Sequence, residues 1–271
     1  MDVNNFVPHK LPIQSTEKPA NKLTIGLIGY GSFGAFLHQL AQRFVADAQV
    51  KVFSDQHTLD NQTFFALDEV INCDLVVLAV PIRAYRDVLT AIIPKMRAQS
   101  VLVDVATVKD HTMQVIKSLS PACAYISLHP MFGPESYRKR GGDLSDLCVV
   151  MTGHTLSQPQ YSLFSHFIEH TGLRLVEKTA QEHDQELAET LFLTHFIGQI
   201  ISKGNFKRTE IDTLSFAYLM DSVDSVKHDD QLFKDVCRFN PYCLEVMQRF
   251  DESDRFVRNT MLELEGTDAV K

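Results

Sequence analysis

A chain of 271 residues has room for two domains of ordinary size, and a hydrophobic content of 45% can fill a core in each. A formal net charge of −8 excludes the global basic field of a nucleic-acid binder, so an anionic ligand would have to be met by local donors. No apolar run approaches the ~20 residues of a membrane span, residues 1–22 lack the apolar core of a secretory signal, and the five cysteines include no CxxC pair. These features predict a soluble, cytoplasmic protein with reduced thiols, and no membrane or nucleic-acid partner.

The first 22 residues, with prolines among scattered polar residues, read as a flexible lead-in. From there short apolar runs alternate with helix-length segments. LTIGLIG (23–29) is a predicted strand followed by a helix over 32–44. QVKVFS (49–54) and DLVVLAVP (74–81) are the next strands, then a helix over 82–93, a strand VLVDV (101–105) and a helix over 108–119. AYISLHP (124–130) and LCVVMTG (147–153) are further strands, with a helix over about 157–171. The strand runs are continuously apolar rather than alternating, as in parallel strands covered on both faces. The expected fold is α/β, a doubly wound Rossmann-type sheet over 23–178.

Near Thr179 the pattern becomes helical. ELAETLFLTHFIGQIISK (186–203) is apolar almost all round and predicts a helix buried on every side. Asn240 is a suitable N-cap with Pro241 in the first turn, and Leu244, Met247, Phe250, Val257 and Met261 follow at helical spacing. Residues 179–271 carry more apolar helix surface than they can hide alone. An all-α C-terminal dimerisation domain, and hence a homodimer, is the expectation.

Gly29-Tyr30-Gly31-Ser32-Phe33-Gly34 is a GxGxxG that follows a strand and opens a helix. Its glycines permit a tight turn, close approach of backbone to a pyrophosphate, and close helix–strand packing, while the helix N-terminus offers free N–H groups to the phosphates. Asp55 ends the second strand about 20 residues beyond the last glycine, where a carboxylate accepts from the adenosine ribose hydroxyls. The neighbours Gln56 and His57 bring no arginine for a 2′-phosphate, so NAD is favoured and NADP remains possible.

Three motifs fall at C-terminal strand ends, the edge on which open α/β sheets gather ligands. Ala79-Val80-Pro81 turns the backbone beneath the cofactor, Thr107 follows the 101–105 strand near a helix start, and His129 stands at the tip of 124–130. A neutral imidazole there can take a proton from an alcohol whose carbon loses hydride. Read singly, Thr107 is also a helix cap, Lys109 a solvated helix residue, and one histidine a surface or core residue. No metal is expected: His183-Asp184 has no second ligand cluster, and His166 with His170 reads as an exposed polar face.

HPMFGPES (129–136), with GLIGYGSFG (26–34), DVATVK (104–109) and EHDQELAETLFLTHFIG (182–198), resembles the prephenate/arogenate dehydrogenase family. Together with FNPYCLEVMQRF (239–250), it resembles most the arogenate dehydrogenases of plant type. The resemblance runs from about Leu23 to Glu263. It implies oxidative decarboxylation: hydride passes from the hydroxyl-bearing ring carbon to the nicotinamide, the ring carboxylate leaves as CO2, and 4-hydroxyphenylpyruvate or tyrosine results. It further implies that His129 hydrogen-bonds the reacting hydroxyl, with Thr107 where the family often has serine. Glu135 and Ser136 would lie at the pocket mouth, and His183 and His195 on a helix closing over the substrate.

One departure stands out. Members that use prephenate typically carry an arginine in the second domain that pairs with a substrate carboxylate. TLSFAYLMDSVDSV (213–226) has none. Replacement donors are Arg138, Lys139, Arg140, Lys203, Lys207 and Arg208, and arogenate stands beside prephenate as substrate. Two rival readings are a related dehydrogenase of small β-hydroxy acids using Lys203, and a non-catalytic dinucleotide sensor.

Overall fold

The computed structural model describes residues 22–45 and 47–268, with side chains as far as Glu263. Apart from Lys22, the expected lead-in over 1–22 lies outside the described residues. Seven strands form one sheet in the order β2-β1-β3-β4-β5-β6-β7. The first five are β1 (Thr24–Ile28), β2 (Gln49–Phe53), β3 (Leu75–Leu78), β4 (Val101–Asp104) and β5 (Ala124–Pro130), all mutually parallel. Helices α1 (Ser32–Phe44), α2 (Leu67–Val70), α3 (Tyr85–Ile92) and α4 (Asp110–Leu119) form the crossovers. Their apolar stripes bury Phe36, Val70, Leu89 and Ile116 against the Val, Ile and Leu of the strands, which is why the strand runs are apolar without alternation.

The sheet is not parallel throughout. β6 (Cys148–His154) runs antiparallel to β5, with a register shift between Ser127 and Leu128, and a strand the sequence pattern does not announce, β7 (Arg174–Glu177), runs parallel to β6. The reason lies in the link 131–147, which contains one six-residue helix, α5 (Pro134–Lys139). A parallel return needs a crossover that carries the chain back to the opposite edge. Here the chain turns at the strand tips and re-enters from the edge it left. Helix α6 (Gln158–Thr171) then connects β6 to β7.

Beyond Thr179, whose side chain accepts from the Glu182 N–H as an N-cap, the described chain is helical. Helix α7 (Ala180–Leu187) passes through a π turn (Ala188–Phe192) into α8 (Leu193–Lys203). This long helix is not buried on every side. It buries one stripe, from His183 and Asp184 through Leu187, Ala188 and Phe192 to His195 and Gly198, and exposes Glu189, Thr190, Thr194 and Ile200. In a regular helix His183 and His195 would point about 120° apart; the extra residue absorbed by the π turn brings them to within roughly 20°. The C-terminal helices are α9 (Leu214–Val226), α10 (Asp230–Phe239) and α11 (Cys243–Asp268). Asn240 closes α10 and also faces the start of α11, its Oδ1 accepting from the Tyr242 N–H at 3.0 Å and its amide donating to the Asp184 carbonyl at 2.8 Å.

Several polar ties join these helices to the sheet unit. Arg83, in the turn after β3, donates to Asp235 of α10 at 2.5 Å, and Asp184 of α7 accepts from backbone amides at the start of α4. The result is a mostly parallel Rossmann-type sheet followed by a helical C-terminal region.

Candidate active site

The tip of β1 carries the glycine turn. Gly29 has φ of +99°, which favours glycine, and a Cβ there would come within 2.4 Å of the Ala79 carbonyl oxygen. At Gly34 a Cβ would stand 2.3 Å from the Gly29 carbonyl oxygen, so α1 can approach the strand only without a side chain. Gly31 has open space in the place of its Cβ. As the N-cap of α1 it supplies no side chain to the helix, and the first turn carries no acidic residue. The free N–H groups of the first turn therefore present a bare, positive helix end, as a pyrophosphate requires. Ser32 is exposed and Phe33 half-buried beside Phe36.

Asp55 follows β2, exposed and without a partner among the described residues. Ser54 is turned inward, its Oγ 3.3 Å from the Gln56 N and 3.0 Å from His57 Nδ1. His57 stacks on Phe64 with ring centroids 4.4 Å apart, and Tyr30 stands edge-on to both. This aromatic cluster flanks Asp55 where an adenosine would extend from the glycine turn. Ala79, Val80 and Pro81 end β3 directly under Gly29, with Pro81 leading into the turn that holds Arg83.

At the neighbouring strand tips a chain of hydrogen bonds crosses from the sheet to α7. His129 Nδ1 lies 2.8 Å from His183 Nε2, and His183 Nδ1 lies 2.8 Å from Asp184 Oδ1. The Asp184 carboxylate also accepts from the Lys109 N–H at 2.9 Å and the Asp110 N–H at 2.8 Å, capping α4. Proton placement follows from this order: the carboxylate can only accept, so His183 Nδ1 carries hydrogen and its Nε2 accepts from His129 Nδ1–H. His129 Nε2 is left as a lone pair without a partner among the described residues. Burial, then the neighbouring His183 and Lys109, hold the His129 imidazole well below its ordinary value, so it is neutral near pH 7.

The residues singled out from the sequence fall into two groups around this line. Thr107 is half-buried between β4 and α4, and its hydroxyl makes no hydrogen bond among the described residues; Asp184, not Thr107, caps α4. His183 has both ring nitrogens engaged, so it serves His129 rather than offering a nitrogen outward. His195 is buried, and its Nδ1 is the one buried side-chain polar atom without a partner among the described residues. Ser136 folds back on Gly133 as a local cap, with Oγ accepting from the Gly133 N–H at 3.0 Å. Glu135 is exposed on α5 and pairs with Lys139 at 2.7 Å, and the field of Asp221 on α9 also reaches Lys139. Of the replacement donors, Arg208 is held by Asp221 and Asp224 and Arg140 by the Ser145 carbonyl, whereas Arg138, Lys203 and Lys207 make no ion pair among the described residues. A cavity of about 320 Å³ opens beside His183, lined by Met131, Arg174, Lys178 and Glu186.

Lys109 is the clearest correction. It is not a solvated helix residue but fully buried, its Nζ donating to Asp104 Oδ2 at 2.8 Å and to the Leu128 carbonyl at 2.7 Å. A reading of DVATVK as two opposite charges five positions apart, within apolar surroundings, would have found this pair. His166 and His170 lie on the exposed face of α6.

A Rossmann-type sheet with a bare glycine-lined helix end at β1, and a neutral histidine at β5, defines a dinucleotide-dependent oxidoreductase. Residues 47–177 match the model of the prephenate dehydrogenase nucleotide-binding domain. The chain is 27% identical to arogenate dehydrogenase 2, chloroplastic, of Arabidopsis thaliana, over 96% of this chain and 76% of the relative. It is 25% identical to cyclohexadienyl dehydrogenase of Zymomonas mobilis, over 89% of each. It is 24% identical to arogenate dehydrogenase 1, chloroplastic, of Arabidopsis thaliana, but spans only 39% of that relative. The fold matches prephenate dehydrogenase from A. aeolicus, solved with hydroxyphenyl propionate and NAD+, at TM-score 0.69 and 14% identity over 91% of this chain and 93% of that one. It matches Synechocystis arogenate dehydrogenase at TM-score 0.62 and 18% identity, over 90% and 93%. The chain is thus similar to the prephenate and arogenate dehydrogenases, in just under half of its length by the nucleotide-binding domain model and in most of it by the plant relatives.

Proposed function

We propose that this chain is an NAD(P)-dependent dehydrogenase that oxidatively decarboxylates prephenate or arogenate, on the route to tyrosine. The observation that carries the reading is the hydrogen-bond order Asp184–His183–His129, which leaves an imidazole lone pair at the tip of β5, on the same sheet edge as the glycine turn of β1. A dinucleotide held at the glycine turn by Gly29, Gly31 and Gly34 would supply the hydride acceptor. His129 Nε2 accepts the hydrogen of the substrate hydroxyl while the C–H bond on that carbon breaks. The ring carbon–carboxylate bond then breaks, its electron pair enters the ring, CO2 leaves, and the oxygen remains as a phenol that recovers the proton from His129. Aromatisation drives the reaction, so the protein's part is orientation and custody of one proton. The Thr107 hydroxyl, free and at the adjacent strand tip, is a second hydrogen-bonding group for the reacting centre.

Arogenate stands beside prephenate as substrate, because α9 carries no arginine to pair with the second carboxylate that prephenate has. Arg138 on α5 and Arg174 beside His183 are open cations for the ring carboxylate. Asp55, with no arginine beside it, favours NAD over NADP. Exposed Leu214, Tyr218, Phe256 and Met261 on the C-terminal helices, with Ile211 in the turn before α9, support a homodimer. No described helix is long and apolar enough to cross a membrane; a cytoplasmic location remains the reading from sequence. The rival β-hydroxy acid reading needs Lys203, which is exposed at the last turn of α8.

Absorbance at 340 nm, with both substrates crossed against both cofactors, tests the reading. Reduction of NAD with at least one of the two substrates is expected. No reduction with either substrate would refute the reading, and a clear preference for NADP would overturn the role given to Asp55.

A further inference from the structure

Lys109 and Asp104 are both fully enclosed. Around them the hydrogen bonds close: Asp104 accepts from Tyr85 Oη at 2.7 Å, the Ala106 N–H at 2.9 Å, Thr112 Oγ1 at 3.0 Å and Ser127 Oγ at 2.8 Å, besides Lys109. A buried ion pair is a poor device for stability alone, because apolar side chains of equal volume do as well or better. Its position offers another account. The Lys109 main-chain N–H holds Asp184, the first member of the histidine line, and its ammonium holds the Leu128 carbonyl, one residue before His129. That carbonyl lies beyond the last β4–β5 pair, Asp104 with Ser127, at the point where the β5–β6 register shifts. One residue thus touches both ends of the Asp184–His183–His129 line without touching its middle.

We propose that Lys109 is a positioning residue for the reaction: anchored by Asp104, it fixes the tip of β5 and sets a positive charge, held by that pairing, behind His129. The proposal rests on the reading of His129 as the proton acceptor. The titratable groups facing this point are His129 from β5, His183 and Asp184 from α7, Asp104 from β4, and Tyr85 from α3. After burial and His183, Lys109 is the third influence that lowers the His129 imidazole. The charge therefore favours the uncharged ring, and the bond to Leu128 aims it.

The test pairs Lys109→Met with Asp104→Asn in one double variant, which removes both charges from the enclosed space. Lys109→Gln, which keeps a donor for the Leu128 carbonyl but not the charge, is the second variant. His129 is titrated by NMR in the protein without substrate, its signals assigned by their loss in His129→Asn. The pH dependence of kcat/KM is measured alongside. In both variants His129 should titrate about half a pH unit or more above wild type, with the acid limb of kcat/KM moving by a similar amount. The double variant should also lose roughly tenfold in kcat, with KM changed less. Unchanged His129 titration in a folded variant overturns the proposal, whatever happens to Tm. So does loss of fold in both variants, which would assign Lys109 to the fold alone. Because the titration needs no substrate, a wild-type chain inactive on both substrates defeats the proposed reaction without deciding the electrostatic role.

Discussion

His129 belongs to the sheet and His183 to the first helix after it, yet His129 Nδ1 and His183 Nε2 are 2.8 Å apart. The orientation of the proton acceptor is therefore a property of the docked pair of elements, not of β5 alone. Asp184 ties the same helix to the start of α4, so one residue sets both the docking and the tautomer.

Asp184→Asn should lower kcat by about 10–10²-fold, because an amide cannot hold His183 Nδ1–H and both amides of α4 as a carboxylate does. Its stability cost should be about 1–3 kcal/mol, from a weakened helix cap and a lost charge-assisted bond. Denaturant unfolding and steady-state rates on one preparation check both. Wild-type kcat in a folded variant would show that the carboxylate does not set the tautomer.

The two glycines of the turn should behave differently. Gly31→Ala places a methyl in open space at φ of −68°, so Tm should move little while NAD affinity falls about tenfold or more, the methyl occupying the phosphate approach. Gly34→Ala drives a methyl against the Gly29 carbonyl and should lower Tm as well. Calorimetry and fluorescence titration of cofactor binding separate the two. Unaltered NAD affinity in Gly31→Ala would remove the phosphate from this turn.

Stability should fall on mild acidification. Burial, with help from His183 and Lys109, depresses His129, and burial depresses His195, both from 6.5. The unfolded chain then binds more protons than the fold, so their contribution is complete above about pH 6.5 and declines below it. Between pH 7 and 5.5 the loss should be about 1 kcal/mol per strongly depressed histidine, and His129→Asn should flatten the slope. Urea unfolding across this range checks it; an equal slope in the variant would show that His129 is not held neutral.

The five parallel strands, the glycine turn, Asp55 and the strand-tip position of His129 are legible in the sequence because each depends on local pattern. Three features are not. The reversal at β6 depends on what the link 131–147 fails to contain, and β7 is only four residues long. Lys109 reads as a surface residue because its partner's burial comes from α4 and α7 closing over β4. The roles of His183 and Asp184 are not legible because adjacency in sequence does not reveal that one faces a sheet histidine and the other two backbone amides. The stripe linking His183 to His195 needs the π turn, which an ideal helical wheel misplaces.

The central claim is that the His129 lone pair takes the hydroxyl proton, and the pH profile of kcat/KM for wild type against His129→Asn tests it most directly. Wild type should show an acid limb below the ordinary imidazole range. The variant should be at least ~10²-fold slower, have lost that limb, and bind cofactor as before. A variant with near-normal turnover and an unmoved acid limb would contradict it.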